Sequence, residues 1–402
     1  MGNIHFAQAR TSGRNLPTMK LVYIANARIP TEKAHGIQIM KTCAALAAEG
    51  CQLELWLPNR RNSKFTEVDP FEYYGVPRNF TIRKFWCLDM IGWLNFLPGV
   101  AYIIESKTFA WSISSAAPAT STDTIFYSRD TYPLQTILKH CRPYWYEAHT
   151  IEKSTRLAIK RIFKGARGIV TISKNLSEEF KPYQPADRIF VAHDGVDLSQ
   201  FGQPASKEKA RRSLGLPKDD FLAVYTGHLY DWKGAGTFIR AGKYFPAGVH
   251  AALIGGTDQD ITGMQSIIDQ ERLLSVALLG HKPPDEIPAY LCAADALVLP
   301  NSGRFEISRS HTSPLKLFEY MAAERPIVAS DLPSIREILD ETCAVFFRPD
   351  DAKDLADKLI YIKSNPEIGE RLAAVAKTRV QKYSWEARAK AILSFIAATG
   401  GA

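Results

Sequence analysis

The run His311-Thr-Ser-Pro-Leu-Lys-Leu-Phe-Glu-Tyr-Met-Ala322 puts a hydroxyl, a cation and a carboxylate near the start of one helix. Ser is a favoured N-cap and Pro is tolerated at the first helical position, so Ser313 and Pro314 predict where that helix opens. The first-turn amides have no acceptor within the helix, and with the macrodipole they form an anion site. Lys316 stands one turn in and adds a charge. Glu319 follows about a turn and a half into the helix, where a carboxylate can hold two vicinal hydroxyls. A phosphate at the helix start and a diol further along together describe a nucleoside diphosphate. The same residues also make an ordinary amphipathic helix with a solvated Glu, and the run by itself leaves both readings open.

A second cluster is Tyr225-Thr-Gly-His-Leu-Tyr-Asp-Trp-Lys-Gly234, in which a strand ends at Gly227, His228 follows, and Lys233 precedes a helix. A Lys so placed can neutralise charge developing on a leaving diphosphate. Gly255 and Gly256 end another apolar run and let backbone approach a ligand, and His281 and Lys282 end the next. In the first half, Tyr144-Trp-Tyr-Glu-Ala-His-Thr150 puts His149 at a strand's C-terminal end, where open α/β sheets bind ligands. Arg129 also ends a strand, and Gly36 opens the first helix after a polar loop. Asp258 and Asp260 invite a metal reading as an Asp-x-Asp pair. They open a helix with no third ligand nearby, so N-capping is the better account and no metal is expected.

From Met19 onward the chain resembles the large retaining glycosyltransferase family four, of the GT-B fold, most strongly from Phe221 to Leu339. That family brackets the helix with a Glu, seven residues, Glu pattern, and Glu319 matches the second Glu, which binds the donor ribose. The first falls on His311. The chain is similar to the subgroup with an aromatic residue followed by Thr-Ser-Pro-x-Lys, whose turn holds diphosphate and sugar through backbone amides. The resemblance implies catalytic roles for His149, Lys233 and Glu319, with His149 matching a His that contacts the donor sugar near the reacting carbon. Lys233 matches the Lys of a Gly-Arg, Lys-Gly loop whose Arg is His228 here. Gly227, Gly255, Gly256, His281 and Lys282 join the donor side, with His311, Thr312, Ser313, Pro314, Leu315 and Lys316. Gly36 and Arg129 fall on the acceptor side. His193-Asp-Gly-Val-Asp197 matches the family's Asn-Gly-Val-Asp turn, read as an interdomain structural feature.

What the resemblance implies is a nucleoside-diphosphate sugar as donor substrate, no cofactor, and a glycan or lipid-linked acceptor in bacterial surface-polysaccharide or lipid-linked oligosaccharide synthesis. The His228 and His311 replacements motivate a second reading, a weakly or non-catalytic sugar-nucleotide or glycan-binding protein of an assembly complex. A sugar-nucleotide epimerase of the same fold is a third. A dehydrogenase is disfavoured because no GxGxxG follows Lys20–Ala25.

The elements that must position these residues are strands and helices in alternation. Strands are expected at Lys20–Ala25, Gln52–Leu57, Thr124–Ser128, Trp145–Ala148, Gly168–Ile172 and Arg188–Ala192, then at Phe221–Thr226, His250–Ile254, Val276–Leu279, Ala296–Leu299, Pro326–Ala329 and Ala344–Phe347. Helices fall between them, which argues parallel sheets covered on both faces. The 402 residues fit two facing Rossmann-like domains, 19–200 and 221–382. A polar linker with a short basic helix spans 201–220, and a C-terminal helix at 383–402 packs back on the first domain. Residues 1–18 lack the apolar core of a signal peptide and read as an extension, disordered or the product of a mis-assigned start. The apolar stretch Phe85–Ile104 is interrupted by Asp89, Asn95 and Pro98, and it reads as core packing rather than an interfacial membrane segment.

Charge is unevenly placed. Residues 1–200 hold 25 Lys and Arg against 17 Asp and Glu, whereas residues 201–402 hold 25 of each. A basic first domain suits an anionic membrane surface or a phosphorylated acceptor, and Lys153, Arg156, Lys160 and Lys164 recur at helical spacing. Charge asymmetry alone does not call for nucleic acid. Six cysteines without a CxxC pair read as reduced, mostly buried thiols of a cytoplasmic protein, peripheral on the inner membrane face.

Overall fold

The computed structural model describes residues 19–90, 97–151, 157–202, 206–311 and 313–400. The expected extension 1–18, Thr312, and Lys153 and Arg156 of the basic helix lie outside these residues.

Two parallel sheets organise the chain. The first has seven strands in the order β3-β2-β1-β4-β5-β6-β7. They are β1 Lys20–Ile24, β2 Gln52–Pro58, β3 Thr81–Phe85, β4 Ile125–Ser128, β5 Tyr144–Ala148, β6 Gly168–Thr171 and β7 Ile189–Val191. The second has six strands in the order β10-β9-β8-β11-β12-β13. They are β8 Phe221–Thr226, β9 Val249–Ile254, β10 Val276–Leu278, β11 Ala296–Leu299, β12 Ile327–Ser330 and β13 Val345–Phe347. Every pairing among them is parallel. Strands covered on both faces must be apolar on both faces, and β8, reading Phe-Leu-Ala-Val-Tyr-Thr, is buried along its whole length.

Each sheet has a core on either side. Leu53, Leu55 and Tyr23 pack against the helix Ala34–Ala48, while Trp56, Phe126 and Tyr146 pack on the opposite face. In the second sheet Leu297 and Ile327 face the helix Leu315–Ala322, and Val298 and Val328 face the helix Ala352–Ser364.

The helix Trp385–Gly400 returns to the first domain and adds Ala389, Ile392 and Ile396 to its core. Trp145 Nε1 donates to Thr399 Oγ1 at 2.9 Å, and Phe395 stacks on Phe190 with ring centroids 5.3 Å apart. The chain crosses beside the His193–Asp197 turn, where Val196 pairs with Ser384. Further ties join the domains: the Glu337 carboxylate accepts the backbone N–H of Lys174 at 2.8 Å and of Asn175 at 3.0 Å.

Two expectations need correction. Residues of the expected linker fold onto the second domain: Ser206 caps the helix Lys207–Leu214, and Arg211 donates to the carbonyls of Ala293, Lys218 and Asp220. The stretch Phe85–Ile104 is only half core. Phe85 and Cys87 are buried, but Trp86, Leu88, Leu97, Val100 and Tyr102 are exposed, because the helix Pro98–Ile113 is apolar on its outer side as well. Trp93, Asn95 and Phe96 of that stretch lie outside the described residues.

Candidate active site

A cleft of about 340 Å³ lies between the C-terminal edges of the two sheets. His149, Arg129, Gly227, His228, Lys233, Gly255, Gly256, His281, Lys282, His311, Ser313, Pro314, Leu315, Lys316 and Glu319 all line it. Of the residues singled out from sequence, Gly36 does not. It lies behind the wall, where a Cβ would stand 2.2 Å from the Tyr74 hydroxyl. That hydroxyl accepts from Thr31 N–H at 2.7 Å and donates to its carbonyl at 2.8 Å. The glycine thus lets Tyr74 brace the loop, and Thr31, Glu32 and His35 form the wall itself.

On the second domain, turns after strands bring backbone to the cleft. Gly255 has φ +119°, and a Cβ there would stand 2.3 Å from the carbonyl oxygen of Gly227. Gly234 has φ +72°, and its Cβ would stand 1.7 Å from the Pro300 carbonyl oxygen. No side chain fits at either point, so the two turns and the Lys233 loop can nest closely.

The helix Leu315–Ala322 opens without a side-chain cap. Ser313 is not its cap, as the sequence suggests; its hydroxyl accepts the backbone N–H of Asp194 at 3.1 Å and joins the two domains. Among the described residues the N–H groups of Leu315 and Lys316 find no acceptor, and they are left for an anion. Lys316 is buried, its Nζ has no hydrogen-bond partner, and it sits 3.7 Å from the centroid of the Tyr225 ring. Burial holds its pKa well below the ordinary lysine range, Lys233 pushes it the same way, and Glu319 opposes both. Burial lowers the Lys233 pKa to about 8. Burial raises Glu319 to about 7, with Lys316 and Lys41 pulling against it. His228 is lowered to about 4 by burial and then by Lys233, so at neutral pH it is an uncharged ring stacked on Tyr230.

Sequence reasoning missed Asn301 and Asp194. Asn301 is fully buried on the cleft wall, and among the described residues neither its amide nitrogen nor its oxygen has a partner. Its signal was its place just past β11, at a strand's C-terminal end. Asp194 lines the cleft with Oδ1 unpartnered, and burial raises its carboxyl to about 7.

The first-domain side is built differently. Glu147, in the middle of an apolar strand, is fully buried. Its Oε1 accepts from Gln38 at 2.6 Å, from Arg388 at 2.7 Å and from His149 Nε2 at 2.9 Å, and its Oε2 accepts from the Tyr23 hydroxyl at 3.2 Å. Burial pushes this carboxyl up, but Arg388 and the His149 hydrogen bond outweigh it and hold it well below the usual range. Burial, helped by Arg129, lowers His149 to about 4. An ionised carboxylate only accepts, so the His149 proton stays on Nε2 and the Nδ1 lone pair is left for a ligand. Arg129 donates to Gln38 Oε1 at 2.7 Å and completes the network.

Asp258 and Asp260 belong to a helix start, as read: Thr257 caps the helix Asp258–Glu271, and the Asp260 carboxylate accepts the Thr257 N–H. Of the basic helix, Lys160 and Lys164 lie on the helix Leu157–Gly165.

Residues 220–365 match the family model for Glycosyl transferases group 1. TuaC of Bacillus subtilis, a teichuronic acid biosynthesis glycosyltransferase, is 28% identical over 203 residues, covering 50% of this chain and 48% of that protein. The O-antigen chain mannosyltransferase RfbU of Salmonella typhimurium is 28% identical over 245 residues, covering 59% of this chain and 64% of that one. The match therefore spans about half to two thirds of these relatives. Among solved structures, Anabaena HepE in complex with UDP and glucose superposes with a TM-score of 0.73 at 16% identity, over 94% of this chain and 99% of that one. Sucrose-phosphate synthase from Thermosynechococcus elongatus gives 0.73 at 18% identity, over 94% and 98%. The fold is GT-B.

Proposed function

Since residues 220–365 match the family model for Glycosyl transferases group 1 and the fold is GT-B, we propose that the protein is a retaining glycosyltransferase. It moves a sugar, hexosyl or related, from a nucleoside diphosphate to a glycan or lipid-linked acceptor in surface polysaccharide synthesis. The observation that carries this is the buried Lys316 amino group, which has no hydrogen-bond partner among the described residues, beside the open amides of its own helix. A buried amino group without a hydrogen-bond acceptor is costly, and a diphosphate supplies the acceptor together with negative charge.

In the reaction the bond from the anomeric carbon to the phosphate oxygen breaks, and one to the acceptor oxygen forms on the same face. The acceptor's proton passes to the departing phosphate oxygen. Lys233, Lys316 and the amides of Leu315 and Lys316 stabilise that leaving group, meeting charge that a divalent cation would otherwise carry. Glu319 holds the ribose hydroxyls. His149, with its proton fixed on Nε2, accepts a sugar hydroxyl at Nδ1. Arg129, His35 and Thr31 face the acceptor. The protein works without a resident metal or cofactor, in the cytoplasm, on the inner surface of the membrane. One observation favours a second reading, a sugar-nucleotide binding protein of low turnover: His228 is uncharged where the family carries Arg.

Thermal stability with UDP, GDP, ADP and TDP in turn, on wild type and Glu319→Ala, tests the donor site. A ligand at a hundredfold its dissociation constant stabilises by about 2.7 kcal/mol. Selective stabilisation by one nucleotide, lost in the variant, is the expected outcome. No response to any of the four would remove the donor assignment. Stabilisation without turnover on any acceptor would favour the binding protein.

A further inference from the structure

The turn His193–Asp197 carries two aspartates, and among the described residues only one of them has its carboxylate engaged. Asp197 accepts from Lys41 Nζ at 2.8 Å and from the backbone N–H of Ser199 at 3.1 Å. Asp194 is buried, and among the described residues its Oδ1 has no hydrogen-bond partner. The turn is held without that carboxyl. The Asp194 N–H donates to Ser313 Oγ at 3.1 Å, and the Val196 N–H donates to the Tyr383 carbonyl at 3.0 Å. Gly195 packs so closely that a Cβ would stand 3.0 Å from the Trp385 backbone nitrogen. A carboxyl oxygen withdrawn from water with no donor to accept from is costly, and the turn's own structure does not call for it.

Its place in the cleft does. Asp194 lines the cleft between two groups that the proposed reaction uses. On one side, its partner Ser313 stands two residues before Leu315, whose open amide faces the diphosphate. On the other side is His149. The His193 carbonyl accepts from Arg388 Nε at 3.0 Å, Arg388 donates to Glu147 Oε1 at 2.7 Å, and His149 donates to the same oxygen at 2.9 Å. A sugar with its phosphate at Leu315 and a hydroxyl at His149 lays its anomeric carbon across the turn, beside Asp194. The charges that act on this carboxyl are Arg388 from the C-terminal helix, Glu147 from β5 and Arg129 just past β4. Both guanidiniums direct hydrogen bonds elsewhere, Arg388 to Glu147 and Arg129 to Gln38. Burial lifts the Asp194 carboxyl to about 7, so its ionised form is populated at neutral pH, and positive charge developing beside it favours that form.

As the bond from the anomeric carbon to the phosphate oxygen breaks, positive charge develops over that carbon and the ring oxygen. We infer that Asp194 is a further catalytic residue, whose carboxylate stands against this charge in the transition state without bonding to the carbon. The leaving group's negative charge meets Lys233, Lys316 and the open amides, and the sugar's positive charge meets Asp194. A fixed charge in a site from which the substrate has displaced water is weakly screened, and it needs no reorganisation as the charge appears. The inference deepens the proposed function and rests on its donor site, which is tested separately by nucleotide binding.

The experiment needs no acceptor. Transfer to water is followed as release of nucleoside diphosphate from UDP-glucose, UDP-N-acetylglucosamine, GDP-mannose and ADP-glucose, on the full chain, wild type and Asp194→Asn. The substitution removes the charge and keeps the size of the side chain and the backbone N–H bound to Ser313. Release from the donor that wild type uses should fall by about a hundred- to a thousandfold, with stabilisation by its nucleoside diphosphate unchanged. A second measurement does not depend on turnover. Isofagomine, an iminosugar with a ring ammonium, should add to the stabilisation of wild type by the nucleoside diphosphate and add nothing in Asp194→Asn. The inference is overturned if the variant releases nucleotide as fast as wild type, or if isofagomine acts alike on both proteins. Loss of nucleotide stabilisation in the variant also overturns it, by giving Asp194 a structural role, and a glycosyl adduct on Asp194 in the mass of the protein would make it a nucleophile instead. Wild type that answers to no nucleotide removes the donor site itself, a failure of the proposed function that these two readouts keep apart from a failure of Asp194.

Discussion

The two domains present the same edge of a parallel sheet to the cleft and treat their polar groups there in opposite ways. On the first domain, Asp194 apart, these groups are bound to one another: Glu147 alone takes hydrogen bonds from Gln38, His149, Arg388 and Tyr23. On the second, Lys316 Nζ and both polar atoms of the Asn301 side chain have no hydrogen-bond partner among the described residues. One wall is assembled in advance, and the other is completed by what it binds. Substitutions should therefore carry opposite signs on the two walls.

The largest expected effect is on the assembled wall. Arg388→Met strips the counter-charge from Glu147 and should cost about 3–5 kcal/mol of stability by denaturant titration. A loss below about 1 kcal/mol would mean the network is dispensable. The opposite wall should answer in the other direction. Lys316→Met removes a buried amino group that has no hydrogen-bond partner among the described residues and should raise the stability of the free protein by about 1 kcal/mol. It should also lower transfer by roughly a hundred- to a thousandfold, as for loss of a donor to the leaving group. A variant both less stable and equally active would break the comparison. Gly234→Ala, strained by φ +72° and by the Pro300 carbonyl, should cost about 1–3 kcal/mol and displace Lys233, read as weaker nucleotide stabilisation.

The smallest effect sharpens the contrast through protons. Burial puts Lys233 near 8 and Lys316 well below its usual range in the free protein, and bound phosphates raise both. Nucleotide binding near pH 8 should take up a fraction of a proton at Lys233, measured by calorimetry in buffers of different ionisation enthalpy. Affinity should fall as pH rises through the Lys233 value and above it. Proton release on binding would contradict the account.

The same contrast explains what could be read in advance. The positions of Lys233 and Glu319 on the cleft were legible because strand-end glycines and helix starts are written within a dozen residues of one another. The layer order of both sheets was legible for a similar reason, since strands buried on both faces are continuous apolar runs. Ser313 was misread as a cap because its partner is 119 positions away. Glu147 and Arg388 are 241 apart, and no local pattern in the sequence points to such a pair. Gly36 looked like a cleft residue because its spacing from β1 is right, while the Tyr74 hydroxyl that fills its space comes from a different element. Composition marked Trp86 and Tyr102 as apolar-aromatic, but which side of the sheet's covering layer they face is decided by tertiary packing.

The return of residues 385–400 to the first domain also sets an order of events on the ribosome. The helix Trp385–Gly400 supplies Ala389, Ile392 and Ile396 to a core whose other members begin at Leu21. That core stays unfinished while the whole second domain is being translated, at roughly 5–20 residues per second. The domain made first is thus the one finished last. Its exposed apolar surface must be shielded for tens of seconds, and a ribosome stalled before residue 385 would release a chain with a foldable donor half and an open acceptor half.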